Sequence, residues 1–152
     1  GAGSRTSQIE SIEAYEAFAA RQQIRPRLLL LDEEEAEETA YGQMCDLLHS
    51  DPEIDGIFAA IDAFATGAVR AARQRGRAIP QSLRIVTRYD GLRAKLSQPP
   101  LTAVDLHLPA VAEKAVTLLL NQIDGHKGAE MADLPELVAR ASSLTPGADD
   151  RP

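Results

Sequence analysis

Two aspartates pose the first chemical question. Asp62 and Asp90 each follow an apolar run, in "GIFAAID" and "RIVTRYD". In open α/β sheets ligands bind outside the carboxyl ends of the strands, so both loops are candidate walls of a site. Asp62 also has a structural explanation, because it stands where the N-cap of a following helix belongs. The other carboxylates do not resolve into an acid–base pair. Six of them crowd the seven residues 32–38, a run that reads as a solvated loop and helix start. His49, His107 and His126 are far apart, with no partner at metal-ligand spacing. Cys45 lies in "YGQMCDLLH" at an apolar helical position, where a small buried hydrophobe is expected rather than a nucleophile. Walker A, G-x-G-x-x-G and G-x-S-x-G patterns are missing. The expectation is a protein that is not an enzyme, with no cofactor and no metal.

The elements that must position these residues alternate. A helix is expected over 7–22, with Ile9, Ile12, Tyr15 and Phe18 as its stripe and Ser7 and Glu10 as a capping box. "RLLLL" at 27–31 reads as a strand covered on both faces. A helix over 37–49 follows, with Ala40, Met44, Leu47 and Leu48 inward, then a strand at 56–60. A helix over 63–75 ends at Gly76, and strands at 83–87 and 101–105 come next. A helix over 108–123, with Pro109 in its first turn, turns Val111, Ala115, Leu118 and Leu119 inward. A weak strand at 137–141 and a tail at 145–152 complete the chain. The fold class is α/β, a mainly parallel sheet flanked by helices. The first element is a helix where a doubly wound domain usually opens with a strand, so a first strand is expected to be missing.

With 152 residues, 44% hydrophobic and 26% charged, the chain suits one globular domain with a real core. A formal net charge of −7 argues against this segment gripping nucleic acid, which needs clustered Lys and Arg. One cysteine rules out an internal disulfide and fits a reducing compartment. No apolar run is long enough to span a membrane. "GAGSRTS" has no signal-peptide pattern and starts abruptly, so residues are expected to precede it.

The order of features from Asp55 to Gly125 resembles the effector-binding core of the lac-repressor (LacI/GalR) family of bacterial transcription regulators. That pattern runs from an apolar strand through an Asn-Asp pair to Ala-x-Gly on the next helix. A Gly…Pro turn, a strand into a Gly-aromatic-Asp-Asp loop, Pro-Pro-Leu-Thr and an Ala/Leu-rich helix follow. The counterparts here are Asp62, Ala65, Gly67, Gly76, Pro80, Thr87-Arg88-Tyr89-Asp90 and Pro99-Pro100-Leu101-Thr102.

The resemblance implies the C-terminal lobe of a periplasmic-binding-protein-like fold. Residues 1–144 would be a partial effector-binding domain, with 105–135 crossing toward a missing N-terminal lobe and the helix-turn-helix lying outside this chain. It also implies a homodimer, operator DNA as a partner, no membrane and a cytoplasmic location. A periplasmic solute-binding protein of the same fold is the alternative. By position, the effector would meet Arg5, Ser7, Ser11, Glu35, Ile61 and Tyr89, while Asp62 and Gly67 are structural. Several positions depart from the family pattern. Ser11 replaces an arginine, Ile61 an asparagine and Tyr89 the first aspartate of the pair, and Thr87-Arg88 replaces glycine-aromatic. Three lost polar partners, each worth roughly 1–3 kcal/mol when buried, point to an effector unlike an ordinary sugar. A less hydroxylated, aromatic or anionic molecule suits Ile61, Tyr89 and a cation at Arg5 or Arg88.

Overall fold

The computed structural model describes residues 2–144, with side chains from Ile9 onward. It divides into two compact units, meeting in the chain between Leu31 and Asp32. The first unit is helix α1 (Ala2–Gln22) and an extended segment. The helix runs through Ser7, so the expected capping box does not start it. On the expected stripe, Ile9 and Phe18 are exposed. Tyr15 is held by its hydroxyl, which accepts from the Arg27 N–H at 3.0 Å. "RLLLL" is extended but is not a strand: among the described residues it joins no ladder, and Leu30 is 78% exposed. An apolar run supplies the propensity for a strand; the ladder partner must come from elsewhere.

The second unit carries the sheet. Helix α2 (Ala36–Ser50) leads to β1 (Gly56–Ala59), α3 (Asp62–Gln74) and β2 (Arg84–Thr87). Next come α4 (Leu92–Leu96), β3 (Thr102–Asp105), α5 (Leu108–Ile123) and β4 (Glu136–Val138). The strand order is β1-β2-β3-β4; the first two pairings are parallel and β4 is antiparallel to β3. Residues 140–144, expected partly as strand, form a turn instead.

The core lies around β2 and α3. Leu83, Ile85, Leu101 and Ala103 are fully buried, together with Ala65, Ala71 and Ala72 from α3. Small residues let α3 approach α2 closely. A Cβ at Gly67 would stand 2.5 Å from the Glu37 carbonyl oxygen and 2.8 Å from the Ala40 Cβ, so only glycine fits there. Ala40, Met44 and Leu48 face inward from α2 as their spacing predicts, while Cys45 is only half-buried. Gly76, at φ +66°, stops α3 in the left-handed conformation that glycine adopts freely. Arg77 then fastens the turn, donating from Nη2 to the carbonyls of Ile54 and Ser82, both at 2.6 Å.

The end of the chain is tied back to the sheet through a buried hydroxyl. Ser142 Oγ donates to the Ile85 carbonyl at 2.5 Å and accepts from the Thr102 N–H at 2.8 Å. One side chain thus bridges β2 and β3 where their ladder begins. Helix α5 behaves differently. Its bounds are those its periodicity predicts, yet it contains no buried residue. Leu119, expected inward, is 56% exposed. No helix is long and apolar enough to cross a membrane among the described residues.

Candidate functional site

Because β1, β2 and β3 are parallel, their carboxyl ends share one edge. The register aligns Ala59 with Thr87 and Thr87 with Ala103. Two residues further along each chain stand Ile61, Tyr89 and Asp105, which places all three in one row at the rim. Helices α3 and α5 begin there too, at Asp62 and Leu108, and bring the positive ends of their dipoles to the same edge.

Ile61 is the N-cap residue of α3, and it makes no side-chain cap hydrogen bond. Asp62, expected as the cap, is instead the first helical residue. Its carboxylate is turned toward the neighbouring loop, with Oδ2 3.2 Å from where a Cβ of Gly91 would sit. A negative charge in the first turn still complements the helix dipole.

Tyr89 is half-buried, and the Arg88 guanidinium lies 5.4 Å from the centre of its ring. The Arg88 N–H donates to the Ala59 carbonyl at 3.1 Å, carrying the β1–β2 pairing one step past the strands. Asp90 is pinned: Oδ1 is 2.6 Å from Arg140 Nη2, Oδ2 is 3.4 Å from Lys95 Nζ, and its side chain is 8% exposed. On β3, Asp105 Oδ1 accepts from the His107 N–H at 2.7 Å, and Oδ2 lies 3.6 Å from His107 Nδ1. Thr87 Oγ1 and Asp90 Oδ1 are buried without a hydrogen-bond partner of good geometry among the described residues, so Arg140 holds Asp90 Oδ1 by charge and proximity.

The other expected site residues lie elsewhere in the chain. Glu35 is exposed at the N-cap of α2, in the left-handed conformation at φ 54°. It sits two residues from Glu37, whose carboxylate pairs with Arg70 at 3.2 Å and Arg93 at 3.4 Å. Ser11 is exposed on α1 in the first unit. Arg5 and Ser7 fall on the α1 backbone, and their side chains lie outside the described residues. The sequence reading therefore finds two of the three register-aligned rim positions. It misses Asp105, which reads as a strand end, and Arg140, which lies 50 residues from its partner in sequence and carries no local signal.

Away from the rim, a concavity of about 250 Å³ lies between α2, α3 and α4, with Glu37, Val69, Arg70, Arg73 and Leu96 among its walls. It is open to solvent, and Glu35, Ile61 and Tyr89 are not among the residues that line it. Its charges are largely matched within the protein. Arg70 also holds Glu38 at 2.5 Å and stacks 4.6 Å from the centre of the Tyr41 ring. Arg73 Nη2 donates to the Gln98 carbonyl. No cluster of metal-ligating side chains occurs among the described residues.

The mainly parallel sheet, with a rim of loops and helix starts at its carboxyl edge, defines an α/β domain built like those of periplasmic binding proteins. Residues 1–143 match the family described as periplasmic binding protein-like domain. The HTH-type transcriptional regulator MalR of Streptomyces coelicolor is 38% identical over 99 residues, which cover 63% of this chain and 29% of that regulator. The lactose operon repressor of Rhizobium radiobacter is 34% identical over 112 residues, covering 73% of this chain and 99% of the compared sequence. A LacI family transcriptional regulator from Bifidobacterium animalis subsp. lactis superposes with a TM-score of 0.79 at 25% identity, over 86% of this chain and 48% of that one. The chain belongs to the periplasmic-binding-protein-like domain family, as found in LacI/GalR regulators. It spans about a third of the length of MalR and about half of the superposed structure.

Proposed function

We propose that this chain is the effector-sensing and dimerising part of a bacterial DNA-binding transcriptional regulator. The observation that carries the reading is the alignment of Ile61, Tyr89 and Asp105 at the carboxyl rim of a family-matched sheet. A small molecule held there shifts operator affinity by the difference between its affinities for two arrangements of the protein. Glu35 is a further effector contact in this reading, from a position matched by the resemblance. Operator contact belongs to a part of the regulator outside these residues, and no catalysis is involved. Residues 105–135 cross toward a second lobe, which accounts for the exposed apolar face of α5. The effector differs from an ordinary sugar, because the rim offers an aliphatic and a phenolic side chain where sugar recognition needs amides and carboxylates. The protein acts in the cytoplasm as a homodimer.

A gel-shift assay with the full-length regulator and the DNA adjoining its own gene tests this. A retarded complex is expected, and a small-molecule panel should contain a compound that releases or strengthens it. Absence of a specific complex, or indifference to every compound, overturns the reading.

A further inference from the structure

Three carboxylates stand at the rim, and two of them are engaged. Asp90 is ion-paired by Arg140 and Lys95, and Asp105 caps the His107 N–H. Asp62, in the first turn of α3, complements the dipole of its own helix. Arg88 is the opposite case. It is half-buried, and among the described residues no carboxylate or carbonyl accepts from its guanidinium. Among the described residues that group's close neighbour is the Tyr89 ring, 5.4 Å from its centre. A guanidinium held over an aromatic face keeps the N–H donors at its edge available, and that edge matches a carboxylate in two-pronged fashion. The Tyr89 ring and Ile61 supply flat and aliphatic surface beside it. The start of α5, which has no acidic residue in its first turn, adds positive potential at the same edge.

We infer that the rim takes a small planar anion, an aromatic carboxylate. Arg88 donates to the carboxylate, and Tyr89 and Ile61 flank the ring. This rests on the effector-sensing reading and names the ligand class for the same site. Arg88 is then the residue that sets specificity, at a position where the family pattern has an aromatic side chain.

Benzoate, benzyl alcohol and lactose, titrated into the chain, separate the alternatives. The readout is the NMR shift of the Arg88 Nε–H and the Tyr89 ring. Benzoate should move both signals and bind about tenfold more tightly than benzyl alcohol, the margin expected of one charge-assisted pair. Arg88→Gln should abolish that margin while the amide spectrum elsewhere is unchanged, and Arg88→Lys should keep part of it. Equal binding of benzoate and benzyl alcohol overturns the inference, as does full benzoate affinity in Arg88→Gln. A response to lactose alone removes the anion assignment and leaves effector sensing intact. Silence from all three probes also removes it, and the gel-shift assay then decides effector sensing separately.

Discussion

Helices α3 and α5 have similar lengths, 13 and 16 residues, and opposite environments. Helix α3 is made of small residues and is built into the core: Ala65, Gly67, Ala68, Val69, Ala71 and Ala72 are all buried. Helix α5 is rich in valine and leucine and buries none of them; Val116, Leu119, Leu120 and Ile123 are exposed. Side-chain apolarity alone would rank them the other way. What separates them is a partner. Small residues let α3 come within backbone contact of α2, whereas α5 presents a larger apolar face that nothing in the described residues covers. A contiguous exposed apolar face of that kind is uncommon on a monomeric protein and is usually covered by a partner. An apolar pattern thus announces that a face needs cover and leaves open what covers it.

The most damaging way to test this contrast is Gly67→Ala. Alanine is the better helix former by roughly 1 kcal/mol, so propensity alone predicts a gain. The added methyl would lie 2.5 Å from the Glu37 carbonyl oxygen and 2.9 Å from the Tyr41 nitrogen, both backbone atoms that cannot swing aside. Forcing α2 and α3 apart should outweigh the gain and leave a net loss of about 2 kcal/mol, within the range for overpacked cores. Urea denaturation of the chain measures it. An unchanged or raised midpoint would mean that the two helices are not in close contact.

The converse change on α5 should be nearly silent. Leu119→Glu places a charge on a side chain that is already half in water, so stability should stay within about 0.5 kcal/mol of the parent. Self-association, measured by sedimentation equilibrium, should fall. A loss as large as that expected for Gly67→Ala would show that Leu119 is part of this chain's own core.

These differences mark what the sequence can disclose. Helix α5 is legible to the residue, since its 3.6-residue period, Pro109 at the start and the glycines beyond its end are all local signals. Strands β1, β2 and β3 are legible as short apolar runs between turn residues. The strand ends point to the loops at Asp62 and Asp90, and the family resemblance, rather than the strands, singles out Ile61 and Tyr89 within them. "RLLLL" has the composition of a strand without a ladder, and composition cannot report the partner. Helix α4, five residues between Gly91 and a Pro-rich turn, is too short to show a period. The Asp90–Arg140 pair and the Ser142 bridge join residues remote in sequence, so only the folded chain reveals them. Cover for α5 is beyond local signals for the same reason: periodicity locates its apolar face, and only the family resemblance implies that the surface it packs on belongs to another lobe.

The smallest effect sharpens the contrast from the side of α3. Glu38 on α2 receives Arg70 of α3 at 2.5 Å, and Glu37 receives the same guanidinium at 3.2 Å. The hydrogen bond from Arg70 holds the Glu38 carboxyl below its ordinary value; desolvation opposes this, and the charge of Arg70 adds to the lowering. A carboxyl whose value is lower in the folded chain stabilises the fold above its unfolded value. That contribution fades as pH falls through the folded value. The tie between α2 and α3 should therefore weaken on acidification below the usual carboxylate range, and also in high salt, because both partners meet solvent. Glu38→Gln should leave neutral-pH stability almost unchanged and make the acid limb of the stability profile shallower. The Leu119→Glu chain should keep the parent's acid limb in full. An acid limb unchanged in Glu38→Gln would show that the pair contributes nothing to holding α3, leaving close packing at Gly67 as the whole of its advantage over α5.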